Sequence, residues 1–207
     1  MAVDLNDDNA LNEKAINFWE KNKKNIFLVV VVFISIYIAT SFYVSNQKKN
    51  KFLASEIYQK IQVEYKNSDI SAYVKELKEN YVDTPYSGRA SLLYAQILSG
   101  NNKSDEALLE FDWAILNSSE NSIKSLALYS KAKLHLLQNQ LDLAESAINE
   151  IETEGFKGLK NYVLGDIYYA KNDNKKALEF YEIAFNFYNN KNDLAKVIKT
   201  KIDAIGS

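Results

Sequence analysis

Hydrophobic positions follow three patterns along the chain. From Ile26 to Val44, nineteen residues run without a charge, IFLVVVVFISIYIATSFYV. As a helix this run rises about 28 Å, close to the roughly 30 Å of a bilayer hydrocarbon core. Lys21, Lys23 and Lys24 precede it, and Lys48, Lys49 and Lys51 follow. Trp19 and Phe27 at one end and Phe42 and Tyr43 at the other occupy the levels where rings favour the membrane interface. The run therefore reads as a transmembrane helix over 26–44. A cleaved signal peptide is the alternative, but the run begins late, is long, and lacks an Ala-x-Ala site.

The tail, 1–25, shows helical spacing at Leu11, Ala15, Phe18 and Trp19, with Asp7, Asp8 and Asn9 as capping residues. It is expected to form a short amphipathic helix that lies at the interface and feeds the span, or else docks a partner. Lysine flanks both ends of the span, so charge does not decide orientation.

From residue 46 to 207 the apolar period is helical throughout. The pattern predicts helices over 52–67, 70–81, 86–98, 103–117, 122–138, 141–151, 159–170, 175–187 and 193–205. The breaks fall at Asp83-Thr84-Pro85, Gly100-Asn101-Asn102, Gly155 with Gly158, and Asn172-Asp173-Asn174. A period is visible within this region. Asn102, Asn139 and Asn172 are each followed five residues later by Ala107, Ala144 and Ala177. Seven residues before each asparagine stands a small residue: Ala95, Ala132 and Gly165. Four after each alanine comes Phe111, Ile148 or Tyr181, and seven after comes Ala114, Ile151 or Ala184. The spacings are 37 and 33 residues, against 34 for tetratricopeptide repeats. Small residues let paired helices approach, the large residue fills the gap between hairpins, and asparagine accepts a left-handed turn. The expected fold is all-α: one N-terminal transmembrane helix, then a tetratricopeptide-like stack of α-hairpins. An ordinary helical bundle is the alternative.

Composition narrows the function. The chain is 47% hydrophobic and 13% aromatic with a formal charge of −2, which disfavours disorder and nucleic-acid binding. One proline and six glycines suit helices rather than many short strands. With no cysteine there is no disulfide, thiolate metal site or cysteine nucleophile. No phosphate-binding loop or nucleophile elbow occurs, and no small-molecule substrate or cofactor is expected. His135, with Asp142 and Glu145 near it in sequence, would be the one conceivable acid–base group. A satisfied histidine beside a turn is the simpler expectation.

The order of these segments resembles the YfgM family, ancillary subunits of the SecYEG translocon in the inner membrane of Gram-negative bacteria. The resemblance rests on Glu13–Lys24 (EKAINFWEKNKK), the single span and its lysine-rich exit. It continues through Thr84-Pro85-Tyr86-Ser87-Gly88-Arg89-Ala90, the central repeat, and Glu154-Gly155-Phe156 ahead of Leu164-Gly165-Asp166. The family commonly carries Arg-Gly-Asp or Arg-Gly-Glu where this chain has Leu164. The resemblance implies a cytoplasmic N-terminus and a periplasmic repeat domain. It implies association with the SecYEG translocon, with a PpiD-like periplasmic chaperone and with exported chains, and a chaperone-like role in protein export. The span adds membrane lipid as a partner. An envelope assembly or cell-division coordinator is the alternative, and an enzyme or an accessory domain of one is a third.

Stacks of this kind present a concave face built by the first helix of each hairpin. The repeat columns place Arg89, Leu92 and Gln96 there from the first copy. Leu126, Tyr129, Lys133 and Leu136 come from the second, and Leu159, Tyr162, Asp166 and Tyr169 from the third. Tyrosine gives large contact area at low entropic cost, so the face suits a peptide or partner helix. The alternative is that some of these tyrosines pack against the last helix, 193–205.

Overall fold

The computed structural model describes residues 5–66, 68–188 and 193–206, with side chains from Asn12 onward. The chain divides into two compact units between Lys49 and Asn50. The first holds the part of helix α1 up to Lys49; α1 runs without interruption over Leu5–Glu64. The sequence reading breaks this length into a tail helix, a span and a fresh helix at Phe52. No proline, glycine or capping geometry interrupts the backbone, so the helix continues. The helix is already formed at Leu5, upstream of Asp7, Asp8 and Asn9, whose side chains lie outside the described residues.

Residues 27–44 are exposed at every position, and this stretch is long and apolar enough to cross a membrane. Two of its hydroxyl groups bond back to the helix backbone. Ser35 Oγ donates to the Val31 carbonyl at 2.9 Å, and Thr40 Oγ1 to that of Ile36 at 2.9 Å. Such back-bonding removes the cost of placing a hydroxyl in hydrocarbon.

The second unit contains the end of α1 and helices α2 (Ser71–Asn80), α3 (Pro85–Gly100), α4 (Ser104–Asn117) and α5 (Asn121–Leu137). It continues with α6 (Leu141–Asn149), a 3₁₀ turn at Glu154–Phe156, α7 (Lys157–Ala170), α8 (Asn174–Tyr188) and α9 (Asp193–Gly206). Ala54, Ile57 and Ile61 of α1 pack with Ile70, Val74, Leu77 and Ala90 as the first core cluster. Then come three hairpins: α3 with α4, α5 with α6, and α7 with α8.

The three repeated asparagines are the only non-glycine residues with positive φ among the described residues, at 60°, 59° and 61° for Asn102, Asn139 and Asn172. Each closes the same double hydrogen bond. Asn102 N–H donates to Ser99 and Lys103 N–H to Leu98; Asn139 and Gln140 repeat this on Leu136 and His135; Asn172 and Asp173 on Tyr169 and Tyr168. This is the Schellman termination, which a left-handed residue allows. The carbonyl of the residue after each asparagine then accepts from Ala107, Ala144 or Ala177, so one turn ends a helix and starts the next.

Ala107, Ala144 and Ala177 have no exposed surface, and Phe111, Ile148 and Tyr181 are at most 1% exposed. Burying each of those large side chains stabilises the stack by roughly 2–3 kcal/mol. Ala95 and Ala132 are fully buried, and at Gly165 a Cβ would penetrate the Tyr181 ring. The repeat also has a second small column that the sequence reading lacks. Gly88 faces Ser118, Ser125 donates to Thr153 Oγ1 at 2.8 Å, and Gly158 lies under Phe187 and Tyr188. Gly158 is thus a close-approach glycine inside α7 and not a helix break, and α7 begins two residues earlier than expected.

The core is segmented. Four clusters follow one another along the stack and share a few half-buried side chains: Tyr94 between the first and second, Ile115 between the second and third, and Tyr162 and Tyr168 between the third and fourth.

Candidate partner-binding face

The residues expected to line a concave face lie on the first helices of the hairpins, α3, α5 and α7. Arg89, Leu126, Tyr129, Leu136, Leu159, Tyr162 and Asp166 are half-buried, while Gln96, Lys133 and Tyr169 are exposed. Leu92 departs from the expectation. It is 5% exposed and belongs to the core cluster with Phe111 and Ala127. It aligns with Tyr129 and Tyr162, whose longer side chains reach the surface from the same position; leucine is too short and sinks into the core.

Several of these residues are already engaged. Arg89 makes a two-pronged pair with Glu120, Nε to Oε2 at 2.6 Å and Nη2 to Oε1 at 2.7 Å. That bond holds the Glu120 carboxyl below the usual glutamate range despite partial burial, and raises the Arg89 guanidinium in turn. Arg89 also lies over the Tyr86 ring, which packs on Tyr58. Burial is the main cause that raises the Tyr58 phenol.

In the third copy, Asp166 Oδ1 accepts from the Tyr181 hydroxyl at 2.6 Å and from Lys201 Nζ at 2.6 Å. Burial, reinforced by this bond, pushes the Tyr181 phenol far above its ordinary value. For Lys201 burial works downward, but the Asp166 bond and charge outweigh it and leave the ammonium raised. The same ammonium sits 5.1 Å from the Tyr162 ring centroid and 5.6 Å from that of Tyr181. Helix α9 packs chiefly on α8, as α5 packs on α4, and so continues the stack by one first-type helix. It meets the face in the third copy, where Tyr162 packs beside it; the second copy's Tyr129 packs on the neighbouring core cluster. Lys201 and Glu120 went unread in the sequence, because ion pairs over 31 and 35 residues leave no local pattern.

His135 is 6% exposed with Nδ1 2.7 Å from Gln140 Oε1, a satisfied histidine at its turn. Asp142 and Glu145 both pair instead with Lys171 Nζ, each at 2.7 Å.

A long apolar helix, a candidate membrane span, ahead of three in-register helical hairpins defines a protein of the helical-repeat class. The chain belongs to the tetratricopeptide repeat-like domain family, whose match spans residues 16–207. Relatives named ancillary SecYEG translocon subunit resemble it along nearly its whole length. That of Neisseria gonorrhoeae is 23% identical over 91% of this chain and 92% of its own. That of Buchnera aphidicola is 25% identical over 89% of this chain and 96% of its own. That of Haemophilus influenzae is 22% identical over 89% and 91%. No solved structure matches significantly.

Proposed function

We propose that this protein is a membrane-anchored ancillary subunit of the Sec translocon. Its tail lies in the cytoplasm, α1 crosses the inner membrane, and the repeat domain works in the periplasm. There the concave face collects partner proteins, among them a PpiD-like chaperone and chains leaving the channel. The observation that carries this reading is similarity over about nine-tenths of the chain to several relatives bearing one name. The face supports a scaffold: tyrosines and leucines surround a few charges, an arrangement suited to protein contacts.

Two measurements test it. In-cell crosslinking of the full-length protein, followed by mild detergent extraction, is expected to recover translocon subunits with a periplasmic chaperone. Recovery of division or cell-wall proteins instead would make the protein an envelope coordinator. For topology, the cysteine-free chain allows a clean label. Asp105→Cys, exposed at the start of α4, is expected to react with an impermeant maleimide once the outer membrane alone is opened. Reaction only after the inner membrane is breached would reverse the orientation.

A further inference from the structure

We propose that Tyr129 and Lys133 form an open seat for an acidic side chain presented by an amphipathic helix of a partner protein. This rests on the reading of the concave face as a partner surface and gives that surface a chemistry.

The argument starts from the repeat register. Tyr129 and Lys133 stand 33 residues before Tyr162 and Asp166, the same spacing that separates Asn139 from Asn172. The two pairs therefore occupy equivalent places on α5 and α7, a ring followed one turn later by a charge. On α7 the place is filled from within the chain. Lys201 brings its ammonium to 2.6 Å from Asp166 and 5.1 Å from the Tyr162 ring centroid. Ile198, fully buried, and Ile202 and Ile205 anchor the helix that delivers it. The protein thus contains a worked example of an amphipathic helix that sets apolar residues at i, i+4 and i+7 beside the stack and an opposite charge at i+3.

On α5 the sign is reversed and the counter-charge is missing. Lys133 is exposed, with its ammonium 5.5 Å from the Tyr129 ring centroid. Among the described residues no carboxylate pairs with it. The other charges of the face are answered: Arg89 by Glu120 and Asp166 by Lys201. Lys133 is the uncompensated one, in a chain whose net charge is −2. Leu126 and Leu136 flank it as half-buried apolar contacts. A helix with apolar anchors and a glutamate or aspartate would complete on α5 what α9 completes on α7, since opposite charges across such a contact set register and partner choice.

The test uses the full-length protein in phospholipid nanodiscs and a display library of amphipathic helical peptides. Leu and Phe occupy the apolar positions, and the adjacent charge positions are randomised among Glu, Gln and Lys. Wild-type protein is expected to enrich Glu over Lys by about tenfold, Lys133→Gln to abolish the preference, and Lys133→Glu to invert it. Both substitutions are at an exposed position, and unchanged melting confirms the fold. Enrichment blind to charge, or the same preference in Lys133→Glu, overturns the charged seat while leaving the face as a partner surface. No enrichment at all overturns both. A dimer in the nanodisc that Lys133→Glu dissolves would make a second copy the occupant, which also overturns the proposal.

Discussion

At the residue scale, two devices recur and each has a measurable consequence. Asn102, Asn139 and Asn172 hold a left-handed backbone that closes one helix and opens the next. A residue with a Cβ loses about 1–2 kcal/mol in that conformation; glycine has no Cβ, and the short polar side chain of asparagine offsets the loss through local hydrogen bonds. Asn172→Ala is therefore expected to cost about 1 kcal/mol in urea unfolding, while Asn172→Gly stays close to wild type; equal losses would show that the asparagine side chain, not the backbone, matters. The second device is the long-range ion pair. Arg89 depresses the Glu120 carboxyl, so the pair contributes stability that is complete above the ordinary glutamate value of 4.5 and fades as pH falls through the lower folded value. Lys171 and the Tyr168 hydroxyl do the same for Glu145. Melting temperature is expected to fall more steeply below pH 4.5 in wild type than in Glu120→Gln, and parallel curves would remove the pair from the acid response. The asparagines were legible in the sequence because their chemistry is local. The ion pairs were not, because partners in different helices share no spacing rule.

At the scale of elements, the hairpins were legible because small and large residues alternate in fixed columns. The Gly88, Ser125 and Gly158 column went unread because glycine and serine serve it interchangeably, and because Gly158 resembles a break when met in sequence. The continuity of α1 also went unread, since absence of a breaker is a weaker signal than its presence. The burial of the positions assigned to the face was not legible, as Leu92 shows. The tyrosines at those positions differ too. Tyr162 packs at 6.3 Å from Tyr181 beneath Lys201 and joins two core clusters. Tyr162→Ala is expected to destabilise the domain by about 2–3 kcal/mol, so lost binding in that variant would report lost packing; a melting temperature equal to wild type would show the ring to be a surface contact only.

At the scale of the molecule, the segmented core sets how the repeat domain comes apart. Stacks of this kind gain stability from each unit and from each junction between neighbours. Here the junction between the second and third clusters rests in part on a single aliphatic side chain, Ile115. Ile115→Ala is expected to broaden or split the thermal transition, with amide exchange in α7 and α8 losing step with that in α3 and α4. A single sharp transition at lower temperature would mean that backbone contacts alone keep the units together. The same weak seams have a mechanical meaning. A domain joined at a few side chains yields to a pull one hairpin at a time, so tension applied at one end would open the stack stepwise and leave the remaining hairpins folded.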